Sequence, residues 1–269
     1  MQALTFKRGV HPPDGKELAK DQPIKVIMPK ENSELFYPMS QHIGAPCDPL
    51  VAVGDHVKVG QKIAESGAFM SSPIFASVSG EVVDIRPMLV PGGAMVKAIV
   101  VKNDGKMEEI EGLNEGKDYT TMTNDEILAA IKNAGVVGLG GAGFPTYMKL
   151  TDKADTILMN CAECEPLLKL HRQLLEKHAY EIMKTFDMVA ETVGASQAII
   201  GIKKSYVQTI NALNQHIEEF PRVKIHLLDE VYPMGDEVVL IYEATGRVVR
   251  PGGLPIEQGV AVFNVETVY

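Results

Sequence analysis

Residues 138–146 read Gly-Leu-Gly-Gly-Ala-Gly-Phe-Pro-Thr, with glycine at Gly138, Gly140, Gly141 and Gly143. Glycine accepts positive φ and lets backbone come close to a ligand, so such a run can turn several N–H groups toward one anion. An apolar run further along ends in a second polar cluster, Asn160-Cys161-Ala162-Glu163-Cys164-Glu165-Pro166. The chemistry this suggests is binding of a phosphate-bearing cofactor, the first cluster taking the phosphate and the second what is attached to it. A glycine-rich turn without a ligand is the plainer alternative.

Gly138-x-Gly140-x-x-Gly143 also satisfies the dinucleotide fingerprint, with acidic Glu163 about 20 residues on, where a ribose-binding carboxylate is expected. A Rossmann unit needs a full crossover helix after that loop. Here Pro145 follows directly and little chain is left before residue 156, so only a short helix fits and the cradle must have another geometry. Phe144 can stack on a ring or simply pack the loop onto the core.

The elements that would position these clusters alternate. Thr123-Asn124-Asp125-Glu126 is a capping-box signature, Ile127, Leu128, Ile131 and Ala134 then share one helical face, and Gly135 closes the helix. Val136-Val137 reads as a short strand entering the glycine run. Residues 156–159 read as a buried strand, 168–193 as one long helix, 197–202 as a strand, 206–220 as a helix, 223–228 as a strand and 236–244 as a last helix. Strands alternating with helices imply an α/β layer structure with a substantially parallel sheet over residues 120–269. Residues 34–105 differ: short apolar runs at 51–55, 57–60, 74–80 and 82–85, broken by glycine turns, read as a small all-β barrel or sandwich. Residues 1–33 form an arm with one strand at 24–28, and residues 105–119 a linker.

Composition sets limits. At 269 residues and 45% hydrophobic the chain can bury a sizeable core in two domains. With 26 basic against 35 acidic residues the net charge is −9, which argues against nucleic acid as a partner. Three cysteines do not make a secreted disulfide framework, and no apolar run approaches the roughly 18 residues of a membrane span. A cytoplasmic location is expected, with any membrane association through partner subunits.

Gly54-Asp55-x-Val57-x-x-Gly60-Gln61-x-Ile63, followed by Ser79-Gly80-x-Val82, resembles the barrel-sandwich hybrid of biotinyl and lipoyl carrier domains. In that family a lysine at a hairpin tip takes the cofactor. Here the tip falls near Phe69-Met70 without a lysine, so the barrel is expected to dock or scaffold rather than carry.

The glycine run, then Lys149, then Asn160-x-x-Glu163-x-Glu165-Pro166, resembles the flavin-binding fold of the NADH-oxidising subunit of respiratory complex I. The chain looks closer still to the RnfC family, the C subunits of Rnf-type electron-transport complexes. That likeness rests on Arg8-Gly9-Val10-His11-Pro12-Pro13-Asp14-Gly15-Lys16-Glu17-Leu18, Gln41-His42-Ile43-Gly44-Ala45-Pro46, Tyr232-Pro233-x-Gly235-Asp236-Glu237, Gly252-Gly253-Leu254-Pro255 and Asn264-Val265-Glu266-Thr267. The fold it implies is a complex I flavoprotein-type FMN-binding α/β domain preceded by the barrel-sandwich hybrid.

The resemblance implies FMN with its phosphate on Gly138, Gly140, Gly141 and Gly143. Lys149 would add a cation at the phosphate or ribityl chain, and Asn160 would bond the isoalloxazine edge. Glu163 and Glu165 are the candidate catalytic carboxylates, facing the ring or an incoming nicotinamide. Gly235, Asp236, Glu237 and Asn264 match the family's later flavin-contacting segments, although Ala162 and Phe263 depart from the complex I wording. Members of the family carry two four-iron clusters on cysteine motifs downstream of the flavin fold. No such motif is present here, so clusters are expected only in a longer parent protein of which this chain is a fragment.

Cys161-x-x-Cys164 has only distant Cys47 for company, too few thiols for a metal centre, and packing or flavin-side contact is the preferred reading over a redox pair. His171, His178, His11 and His42 show no zinc-protease spacing and are read as solvated or capping. The function implied is flavin-dependent electron transfer between NADH and iron–sulfur or ferredoxin partners, peripheral on the inner face of the cell membrane. RnfC-like proteins that serve cobalamin or proline reductase are the alternative, and a docking adaptor without catalysis is a third reading.

Overall fold

The computed structural model describes residues 13–19 and 22–269; positions 8–12 of the opening motif, with His11, lie outside them. The described chain forms two compact units, Val26–Met148 and a second made of Lys149–Tyr269 with the described part of Met1–Lys25.

Val26–Met148 is mainly antiparallel. Its strands are β1 (Glu34–Pro38), β2 (Asp48–Pro49), β3 (His56–Val57), β4 (Lys62–Glu65), β5 (Ile74–Phe75), β6 (Gly80–Leu89) and β7 (Met95–Asn103). They make one sheet in the order β1-β7-β6-β3 and another in the order β2-β4-β5. Tyr37, Val57, Ile63, Ile74, Val82, Ile99 and Val101 bring both sheets into one buried apolar core, as a small sandwich requires. Helix α1 (Asn124–Asn133) begins at Thr123 with both capping-box bonds made, and Gly135 follows it at φ 72°.

Two expected strands are absent. Residues 51–55 form a turn instead, because Asp55 folds back to accept the Ala52 N–H at 2.8 Å and donates its own N–H to the Ala52 carbonyl. Residues 24–28 are not in a strand; Val26 and Ile27 are 84% and 90% exposed and the two units divide between residues 25 and 26.

The second unit is built on four parallel strands, β8 (Thr156–Cys161), β9 (Gln197–Lys203), β10 (Val223–Leu228) and β11 (Val260–Asn264), in the order β10-β9-β8-β11. Between them lie α2 (Leu170–Lys177), α3 (Ala179–Val193), α4 (Val207–Asn214) and α5 (Glu237–Thr245), and α6 (Val265–Val268) ends the unit. Leu158, Ile199, Val260 and Val262 pack against Leu240 and Ile241 of α5. The alternate positions Ile157, Met159 and Ile200 turn to the opposite face, where Ile182, Met183 and Phe186 of α3 are buried. Gly201 in β9 permits this closeness, since a Cβ there would lie 2.7 Å from Leu240.

The single helix expected over residues 168–193 is two. His178 takes φ −129° and ψ 32°, ending α2 and starting α3, and its ring lies 4.9 Å from that of Tyr269. A one-residue break that keeps the apolar face pointing inward leaves no mark on hydrophobic periodicity. Gly194, left-handed at φ 73°, then stops α3.

Candidate functional site

The glycine run is a closed loop. Val137 bridges Pro145 antiparallel, Gly138 N–H donates to the Phe144 carbonyl at 2.8 Å and Thr146 N–H to the Val136 carbonyl at 3.0 Å. The expected strand at Val136-Val137 is thus reduced to one bridge, because the chain doubles back at once. A single 3-10 turn, Thr146–Lys149, follows where a Rossmann fold would need a crossover helix.

Inside the loop Gly140 and Gly143 are left-handed, at φ 75° and 68°. Gly140, Gly141 and Ala142 are exposed, and among the described residues nothing accepts a hydrogen bond from the N–H groups of residues 140–143. Left-handed residues within such a run let successive N–H groups turn toward one anion. A Cβ on Gly141 would meet nothing within 4 Å, whereas one on Gly143 would lie 2.9 Å from the Gln41 carbonyl oxygen. Ala142 also borders an open cavity of about 420 Å3, lined on its other sides by His42, Gln41 and Val90. Phe144 is half-buried.

In the second unit the strand order reverses between β8 and β11: the chain runs outward from β8 through β9 and β10, then returns to the other side of β8. Open α/β sheets bind ligands outside the carboxyl ends of strands at such a switch point. Asn160, one residue before the end of β8, and Asn264, the last of β11, are register partners. Asn160 donates from Nδ2 to the Gly235 carbonyl at 2.7 Å and accepts the Ala162 N–H at 3.2 Å. Asn264 accepts the Glu266 N–H at 2.7 Å, and its Nδ2 lies 3.2 Å from Nε2 of His171. Lys149 donates to the Val262 carbonyl of β11 at 2.9 Å, with the Glu237 carboxylate at 3.8 Å. Gly235 N–H donates to Cys164 Sγ at 3.1 Å, and a Cβ on Gly235 would lie 3.0 Å from that sulfur. Asp236 caps α5, accepting from Val238 and Val239. Six expected site residues of this unit, Lys149, Asn160, Gly235, Asp236, Glu237 and Asn264, therefore gather around the ends of β8 and β11.

The two carboxylates differ. Glu163, at φ 44°, turns inward: its side chain is 2% exposed, accepting the His171 N–H at 2.9 Å and Arg172 Nε at 2.8 Å. It thereby ties β8's exit loop to the start of α2, where a negative charge suits the helix dipole. Glu165 is exposed and is the one of the pair that faces solvent.

Sequence reasoning missed what lies beneath. Lys16 is buried at 6% exposure and donates from Nζ to the carbonyls of Glu165 at 2.8 Å and Leu168 at 2.6 Å. Burial pulls its pKa down, opposed by the Glu163 charge. The Arg172 guanidinium lies 3.9 Å from the centre of the Tyr206 ring, whose hydroxyl donates to the Ala162 carbonyl at 3.1 Å. Burial raises the Tyr206 phenol pKa and pushes the buried Cys161 thiol well up, which disfavours a reactive thiolate there. Lys16 sits in the opening motif, but a lysine in a Pro- and Lys-rich arm is ordinarily a solvated residue. Arg172 and Tyr206 carried no spacing signal.

A parallel sheet with an asparagine pair at its switch point is a frame of the nucleotide-binding type. Residues 131–269, more than half of the chain, match the family model of the Nuo51 FMN-binding domain, and residues 4–106 match that of the RnfC barrel sandwich hybrid domain. The chain belongs to the Nuo51 FMN-binding domain family.

Among curated proteins it is 38% identical over 267 residues to the C subunit of the proton-translocating ferredoxin:NAD(+) oxidoreductase complex of Clostridium ljungdahlii, covering 98% of this chain and 58% of that protein. It is 37% identical over 267 residues to the C subunit of the Na(+)-translocating ferredoxin:NAD(+) oxidoreductase complex of Acetobacterium woodii, covering 98% and 60%. To the C subunit of the ion-translocating oxidoreductase complex of Vibrio cholerae it is 35% identical over 265 residues, covering 97% and 34%. The chain thus spans less than two thirds of the length of these relatives. Among solved structures, the NAD+-reducing NiFe-hydrogenase in the air-oxidized state aligns with a TM-score of 0.46 at 31% identity, over 54% of this chain and 29% of that one. No helix among the described residues is long and apolar enough to cross a membrane.

Proposed function

We propose that this chain is the flavin module of a C subunit of Rnf type, passing electrons between NAD(H) and iron–sulfur or ferredoxin partners. The observation that carries the reading is the nest of four successive N–H groups at residues 140–143, for which no acceptor is found among the described residues. Such a nest fits a phosphate monoester, and FMN ends in one. When bound, the flavin accepts two electrons as hydride and gives them up singly.

Gly140, Gly141 and Gly143 present donors to the phosphate, while Gly138, whose N–H is spent on Phe144, closes the loop. Lys149 supplies a cation. Asn160, Gly235, Asp236, Glu237 and Asn264 contribute ring and ribityl contacts from the strand ends. In this reading exposed Glu165 meets the ring or a nicotinamide, and Glu163 holds the loop that carries it. Negative charge there disfavours an anionic reduced ring and so sets its potential. Membrane attachment is through the other subunits of the complex.

Titrating the cofactor-free complete subunit with FMN tests this. One equivalent should bind with quenched flavin fluorescence and a raised melting temperature, and NADH should bleach the bound flavin. Absence of both binding and thermal shift rejects the flavin reading. Binding without bleaching rejects NADH as the donor.

A further inference from the structure

The carrier-like turn of the barrel, deprived of its lysine, has an occupation within its own unit. Tyr147, just after the glycine loop, places its hydroxyl 2.9 Å from the Phe69 carbonyl and 3.3 Å from that of Ser71, so that its one proton is shared between them. Before the loop, Gly135 is so close to the next stretch of the turn that a Cβ would lie 2.8 Å from the Pro73 carbonyl and 2.7 Å from the Phe75 ring. Within the loop, the Gly143 carbonyl accepts the Ile43 N–H at 3.2 Å. The glycine loop is thus fastened before, within and after its donor nest.

The two barrel segments that hold it are joined by His42, which is 8% exposed. Its Nε2 accepts the Ser72 N–H at 3.1 Å, with Ser71 Oγ at 3.4 Å and Cys47 Sγ at 3.7 Å, and its Nδ1 lies 3.2 Å from the Ile43 carbonyl. A backbone N–H can only donate, so Nε2 keeps its lone pair and Nδ1 carries the proton given to Ile43. Around the ring the Cys47 thiol donates to the Ser72 carbonyl at 3.1 Å, the Ser71 hydroxyl to the Ala45 carbonyl at 3.0 Å, and the Ala45 N–H to the Met70 carbonyl at 2.9 Å.

We propose that the carrier-type turn at residues 69–75 is a latch that holds the glycine loop in its anion-binding shape, with His42 and Tyr147 as its positioning residues. A carrier turn must present its tip freely. This one has its backbone carbonyls engaged while the Phe69 side chain, 84% exposed, remains outside. Fixing the left-handed residues beforehand removes much of the ordering that a ligand would otherwise have to impose. The consequence for FMN affinity rests on the flavin reading; the consequence for loop order does not.

The test uses the complete subunit without cofactor and follows residue-resolved amide exchange at Ile43, Gly138 and Thr146, whose N–H groups close the loop. Tyr147→Phe and His42→Ala should each speed exchange there tenfold or more. His42→Gln, whose carbonyl can accept from Ser72, should restore protection. Ile63→Ala, in the barrel core, should lower the melting temperature without selective loss at these amides. FMN should then bind several-fold more weakly to Tyr147→Phe and to His42→Ala than to wild type. Unchanged exchange in Tyr147→Phe, a mild variant that retains its ring, overturns the latch, as does a His42→Gln protein no better protected than His42→Ala. Faster exchange in a protein whose wild type does not bind FMN upholds the latch and rejects the flavin reading.

Discussion

The two exposed glycines of the nest separate ligand effects from fold effects. Gly140 is left-handed at φ 75°, so Gly140→Val strains the backbone by about 1–2 kcal/mol before any ligand arrives. Gly141 is not left-handed and has open space around it. Gly141→Val should therefore keep the wild-type melting temperature while lowering FMN affinity at least tenfold by calorimetry; wild-type affinity would mean that no phosphate approaches there. Lys16→Met leaves the Glu165 and Leu168 carbonyls without their shared donor and should cost about 1–3 kcal/mol in urea unfolding. Asp104 supplies a pH test. The Ser79 hydroxyl, the Lys106 N–H and His56 hold its pKa down, from 3.8 to about 2. A carboxylate depressed on folding stabilises fully above its unfolded pKa and loses that contribution as pH falls toward the folded one. Urea midpoints should accordingly fall between about pH 4 and pH 2, and Asp104→Asn should flatten that limb. At this scale the sequence made the donor-rich loop legible, since glycine spacing alone suggests it. The direction of the Glu163 carboxylate was not legible, because it is decided by Arg172 and the free N–H at the start of α2.

Elements were legible where local chemistry decides them. The capping box at Thr123 is one such case, and Thr123→Ala should cost about 1 kcal/mol, read as a lower urea midpoint with early fraying of α1. The strands β8 and β9 were also readable, as largely apolar runs that a parallel sheet covered on both faces would bury. Where tertiary partners decide, the sequence misled. The runs at 51–55 and 24–28 have strand composition, but one is claimed by the Asp55 turn and the other lies at the division between the units. Helix α1 and the glycine loop were expected to belong with the α/β domain from residue 120 onward, and the match to the FMN-binding domain model begins at residue 131. By contacts they group with the barrel strands, through Gly135 on Phe75 and Gly143 on Gln41. Tight approaches of this kind use glycines that a sequence reader assigns to turns.

For the molecule as a whole, each unit has a separate apolar core, one from two small antiparallel sheets and one between a parallel sheet and its helices. The barrel, with its acceptor lysine absent, would be an unemployed carrier if function followed fold; under the latch proposal it is a support instead. The order β10-β9-β8-β11 also bears on time. Asn160 and Asn264 become neighbours only when β11 inserts beside β8, about a hundred residues away along the chain, whereas the β8–β9 and β9–β10 pairings span shorter stretches. Pairings distant in sequence must meet a larger loop-closure entropy. The seam at the candidate site is then expected to be the last part of the sheet to close. A chain still emerging from the ribosome would possess most of the sheet and only Asn160 of the asparagine pair, so cofactor uptake would wait for the completed sheet. Stopped-flow refolding with FMN present should show flavin quenching no faster than the slowest folding phase.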